Sequence, residues 1–185
     1  MTRKMTITEA LAEIKVIEKR VAKKREFVNS YFGRQQIVRD PFEAKGGSAV
    51  LVPAEQQAIA DLLEERIRIR GAIQMANYSN TITIGRVTRS IGAWLTWRRE
   101  VAPTEQQLVA DLRARIDGAR KNATQRGGSV VPVGAPATGE KSDESNLVLN
   151  VDEKRLTERA EEIESSLATL DGLLSLKNAT IVIGF

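Results

Sequence analysis

Neither histidine nor cysteine occurs among the 185 residues, so the side chains that could do chemistry are carboxylates, amines, guanidiniums and hydroxyls. That excludes Ser-His-Asp and Cys-His nucleophiles, imidazole or thiolate zinc sites, disulfides and thiol redox chemistry. Paired carboxylates exist at Glu64–Glu65, Asp143–Glu144 and Glu161–Glu162. On a helix such neighbours diverge by about 100° and do not converge on one substrate, so they read as solvated faces. No G-x-x-x-x-G-K-[ST] loop, no G-x-G-x-x-G after a strand and no D-x-[DN]-x-[DN]-G spacing is found. The expectation is a non-enzymatic protein with no catalytic residue, no cofactor and no metal.

Two other groups could carry recognition. Lys19, Lys23, Lys24 and Arg25, with Arg113, Arg120 and Lys121 further on, are candidate phosphate contacts to nucleic acid. Single-strand binding would also need aromatic side chains interleaved with them, and these are scarce here. Trp94 and Trp97, followed by Arg98–Arg99, form the densest aromatic-basic group and read as core packing or a subunit interface ahead of a ligand pocket. Net charge is +5 over residues 1–45, −1 over 46–85, +5 over 86–126 and −5 over 140–177. Basic and acidic blocks of this size can satisfy each other, so the basic balance does not by itself demand nucleic acid.

The elements that position these groups are mainly helical. Thr6-Ile-Thr-Glu9 is a capping box, and Ile7, Leu11, Ile14, Ile17, Val21, Val28 and Phe32 then keep helical spacing to about Gly33, which assigns Phe32 to the core. Pro41 and Gly46–Gly47 interrupt the pattern, and Pro53 suits the first turn of a second helix over 53–77. Residues 80–89 alternate around Gly85–Arg86 and predict a short hairpin. Ser90 can cap a third helix that Pro103 kinks or restarts. Residues 122–151 form a Gly/Pro/Ser-rich loop or arm, with Leu147–Val151 a possible strand. Asp152 caps a helix over 152–178 in which Leu156, Ala160, Ile163, Leu167, Leu170 and Leu174 keep an a/d rhythm. Residues 179–185 read as a terminal strand with sticky edges.

Pro53–Leu62 and Pro103–Leu112 match at seven of ten positions, which suggests shared helix-start chemistry more than a true repeat. The start of the chain has no apolar h-region and no window approaches a membrane span, so a cytoplasmic or virion setting is expected. The fold class is therefore mainly α: long antiparallel helices in a bundle or coiled-coil body, with a small β-hairpin and short strand-like arms. The divisions are a helical body over 1–121, the arm, the coiled-coil-like helix and the terminal strand.

The order of Glu9-Ala-Leu11, Ala76-Asn77-x-x-Asn80-Thr81, the Gly85 hairpin, Arg98-Arg-Glu-Val101, Val151–Asp152 and Leu170–Asp171 resembles the DIP1984-like family of small helical proteins. Its members occur in bacteria and bacteriophages, and some carry the label septicolysin. The resemblance implies a helical fold and transfers no catalytic residue, and no hairpin long enough to cross a bilayer is visible. The resulting expectation is an oligomeric structural or assembly protein, such as a capsid-decorating or head-associated component of a bacteriophage virion. The alternative is a nucleic-acid-associated protein. Leu156, Ile163, Leu167, Leu170, Leu174, Trp94, Trp97, Ile181, Ile183 and Phe185 are the expected oligomer contacts, and the terminal strand is expected to pair with another subunit, or else with Thr81–Ile84 or Leu147–Val151.

Overall fold

The computed structural model describes residues 3–131 and 146–185. It is mainly α, with short two-stranded sheets. The chain groups into two units, 1–81 with 173–185 and 82–172. The boundary falls one residue into the hairpin and again inside the last helix.

The first unit opens with β1 (Lys4–Thr6) and α1 (Ile7–Tyr31). The capping box forms as the sequence dictates: Thr6 Oγ1 accepts from the Glu9 amide at 3.2 Å, and Glu9 Oε2 accepts from the Thr6 amide at 2.7 Å. Those bonds hold the Glu9 carboxyl below its usual pKa, the Thr6 amide contributing most. α2 (Ser48–Ser79) runs antiparallel to α1, as the Lys24–Glu55 and Glu18–Arg66 ion pairs at 2.6 and 3.1 Å show. Their packed faces place Ile7, Ala10, Ile14, Ile17 and Ile69 in one core with Ile183.

Three expectations are corrected here. Phe32 is 84% exposed, because α1 ends at Tyr31 and the chain turns away; Phe27, Tyr31 and Phe42 form the aromatic cluster instead, with ring centres 4.7–5.3 Å apart. Pro53 lies inside α2, which begins five residues earlier. Asp40 makes that early start possible by accepting from the Ser48 amide at 2.7 Å and from the Phe42 amide at 2.9 Å, beside Gly46 and Gly47 in the left-handed region. The proline removes only the bond to the carbonyl of Ala49, an exposed residue that water can serve. Finally, the terminal strand β6 (Val182–Gly184) pairs antiparallel with β1 of its own chain, Met5 opposite Ile183. Neither the hairpin nor Leu147–Val151 covers it.

The second unit contains β2 (Thr81–Ile84) and β3 (Val87–Ser90), joined by a turn in which Gly85 has φ +58°. Ser90 caps α3 (Ile91–Thr96), its Oγ accepting from Ala93 N at 3.2 Å. Ahead of Pro103 the helix widens to a π turn over Trp97–Val101, with the Ala102 amide reaching back to the Trp97 carbonyl, and α4 (Ala102–Gln125) then restarts. At the end of α4 Gly127 takes φ +75°, and β4 (Val130–Val131) pairs parallel with β5 (Leu147–Val148). The flanks of the expected arm are thus tied to each other, while 132–145 lie outside the described residues. Asp152 caps α5 (Glu153–Thr180) through the amides of Lys154 and Arg155. The pairs Arg98–Asp171, Glu105–Arg159 and Arg120–Glu153 run α4 and α5 antiparallel within this unit.

The internal sequence match acquires a structural meaning that differs from helix-start chemistry, since Pro103 stands at a helix start and Pro53 does not. In both copies Gln and Asp four residues apart are bonded, Gln57 to Asp61 at 2.9 Å and Gln107 to Asp111 at 2.8 Å. In both, the preceding Glu takes a cation from the antiparallel neighbour, Glu55 from Lys24 and Glu105 from Arg159. The shared sequence is a helix-pairing device used once in each unit.

Candidate functional site: an apolar stripe on the second helix and an arginine-lined groove

The sequence-predicted interface residues are largely consumed inside the chain. Ile163, Leu170, Leu174 and Ile183 are buried, as are Trp94 and Trp97, while Leu156, Leu167, Ile181 and Phe185 are half-buried. The a/d rhythm of α5 is therefore a core seam. The two indoles meet edge to face with centroids 5.4 Å apart, and Trp94 Nε1 donates to the Ile82 carbonyl at 2.9 Å, which fixes the ring against the hairpin.

The free apolar surface lies elsewhere. On α2, Leu63, Ile67, Met75 and Tyr78 are 39, 63, 67 and 79% exposed. Helical geometry sets them along one stripe opposite the face that carries Ile69, Leu62, Ala72 and Ile73 into the core. Gly71 lies within the stripe, and a Cβ added there would meet nothing within 4 Å. Sequence periodicity conceals this stripe, because a helix apolar on two sides reads simply as a wide core face.

The predicted basic residues divide by use. Lys24 is committed to Glu55, and Arg120 to Glu153 and Asp117. Arg113 lines a shallow crevice with Ile116, Asp117 and Glu153, and Lys121 and Arg25 are exposed. Lys19 and Lys23, four residues apart on α1, are exposed with no ion-pair partner among the described residues.

No family model, curated protein or solved structure matches the chain. Function is accordingly read from the geometry of the chain itself.

In the second unit, a groove of about 520 Å³ opens between the hairpin and α5. Alternation along the hairpin gives Ile84, Val87 and Arg89 to the groove, while Thr83 and Thr88 bond each other at 2.8 Å. Arg89 lies over the Trp94 ring, 4.8 Å from its centre. Arg159 is held between Glu105 at 2.7 Å and Glu162 at 2.5 Å, and those carboxylates, Glu105 foremost, raise its guanidinium pKa above the usual value. Among the described residues no three acidic side chains gather as metal ligands would, and no polar side chain is buried. Sequence reasoning singled out the tryptophans but missed Arg86, Arg89 and the α5 hydroxyls, which become neighbours only when α5 folds against the hairpin.

Proposed function

We propose that this protein is a non-enzymatic, self-associating assembly component whose second copy docks on the exposed stripe of α2; a bacteriophage particle is the setting that the sequence resemblance offers. The observation that carries the reading is the stripe Leu63–Ile67–Gly71–Met75–Tyr78. At about 200 Å² per large side chain, the exposed fractions leave an apolar patch of about 500 Å², at the upper end of what a monomer shows to water. Two copies covering it, with flanking residues, approach the roughly 1,000 Å² that marks a specific interface.

The spacing suits a two-fold contact. With antiparallel helices crossing at Gly71, Ile67 of each copy faces Met75 of the other, an isologous arrangement. A mid-helix glycine costs about 1 kcal/mol relative to alanine, and no neighbour among the described residues fills that space. Close approach of a second helix does need it.

Multi-angle light scattering tests the reading on the full chain at tens of micromolar. The expected result is a dimer or higher species, with Ile67→Asp shifting the mass toward the monomer at unchanged helical circular dichroism. A wild-type monomer at that concentration overturns self-association. An Ile67→Asp protein that keeps the wild-type mass overturns the stripe as the interface. The nucleic-acid alternative rests on Lys19 and Lys23, joined on the same side of α1 by the exposed Lys15. It ranks second because the aromatic side chains that continue that row, Phe27 and Tyr31, are packed on each other and on Phe42 instead of standing free to stack with bases.

A further inference from the structure

We infer that the groove between the hairpin and α5 is a binding site for a small phosphomonoester with an apolar body. Its volume of about 520 Å³ falls in the range of small-molecule sites, about 300–1,000 Å³. The lining combines two chemistries. Ile84, Val87 and Ile163, with the indoles of Trp94 and Trp97, supply apolar surface; Arg86 and Arg89 supply cations.

Those two are the uncommitted guanidiniums of the groove, since Arg159, its third, is held by Glu105 and Glu162. Among the described residues neither has a carboxylate within ion-pair distance, which is also true of Arg113, Arg115 and Arg126 of the same unit, but of these only Arg86 and Arg89 line the groove. Arg89 is held in place by the Trp94 face, so its fork is oriented without being neutralised. Glu162 also borders the groove and shares Arg159 with Glu105, so that trio carries one negative charge against the two positive charges of Arg86 and Arg89. The groove therefore keeps net positive charge.

The α5 wall adds hydroxyl donors. Elsewhere in this protein the hydroxyls of Ser30, Ser79, Thr104, Thr124, Thr157 and Thr180 turn back onto the carbonyl four residues earlier, though those of the helical Thr96 and Ser175 do not. Ser165, Ser166 and Thr169, which line the groove, make no such bond among the described residues. Their hydroxyls can rotate toward a ligand. Two forked cations and three hydroxyls supply more donors than a carboxylate can accept, and a phosphate with three terminal oxygens matches them better.

Trp94 and Trp97 are the only tryptophans in the chain, so their fluorescence reports occupancy directly. Phenyl phosphate, inorganic phosphate and benzoate are titrated into the full protein, with phosphorus NMR line broadening as a second readout. The expectation is saturable binding of phenyl phosphate, at least about tenfold tighter than either inorganic phosphate, which lacks the apolar body, or benzoate, which lacks the third oxygen. Arg86→Gln and Arg89→Gln should each weaken it at least about tenfold, the magnitude of a charged hydrogen bond. Both residues are exposed, so the variants keep the fold, checked by circular dichroism. Absence of saturation up to about 10 mM phenyl phosphate, a range that covers weak millimolar sites, overturns the site. Unchanged affinity in the folded double variant does the same, and benzoate binding as tightly as phenyl phosphate overturns the phosphate assignment.

Discussion

Replacing Ile183 by alanine should destabilise the protein by about 3 kcal/mol even though the residue is third from the end of the chain. The side chain is 5% exposed and packs with Ile7, Ala10, Ile14, Ile17 and Ile69. The change removes three carbons, worth about 0.8 kcal/mol each in lost transfer free energy. The cavity left between α1 and α2 adds to that, because strand and helices relax only in part, which brings the total into the 2–5 kcal/mol observed for such truncations. Val182 is the internal control: it points to the opposite face of the same strand and is 61% exposed, so Val182→Ala should cost under about 0.5 kcal/mol. Urea unfolding followed by circular dichroism, at two protein concentrations tenfold apart, measures both. If β6 belongs to its own chain's core, the Ile183→Ala penalty is the same at both concentrations. Equal penalties for positions 182 and 183, or a penalty that vanishes on dilution, would refute the pairing of β6 with β1 within one chain.

Trp94→Phe should destabilise by about 2 kcal/mol, since it leaves the Ile82 carbonyl without its indole donor and gives Arg89 a smaller, poorer ring to stack on; a loss below about 0.5 kcal/mol, within the scatter of neutral substitutions, would mean the bond contributes nothing. The Asp40 carboxyl should titrate below its ordinary value of 3.8, because the Phe42 amide, then the Ser48 amide, favours the charged form. Its stabilisation of the start of α2 is then fully present above 3.8 and is lost as pH falls from there through the lower folded-state value. Carboxyl NMR titration and amide exchange at Ser48 check this, and a midpoint at or above 3.8 would contradict the capping geometry.

How far the fold is legible in the sequence depends on the reach of each interaction. Thr6 with Glu9, Ser90 with Ala93, Asp152 with Lys154 and Arg155, and Gly85 at its turn are all settled within a few residues, so the letters alone place four element boundaries. The a/d rhythm of α5 likewise announces an apolar seam, because helical spacing is local. Which surface covers that seam is not local, and neither is the partner of β6: Lys4 and Gly184 meet across nearly the whole chain, and no pattern near either end names the other. The same limit hid Asp40, whose carboxylate reaches eight residues ahead to begin α2 before Pro53. Tertiary structure alone decided which apolar residues remain exposed. Once α1 takes the Ile69 side of α2, Ile67, Met75 and Tyr78 have no partner in the first unit, and the surface that self-association would use is what the core leaves over.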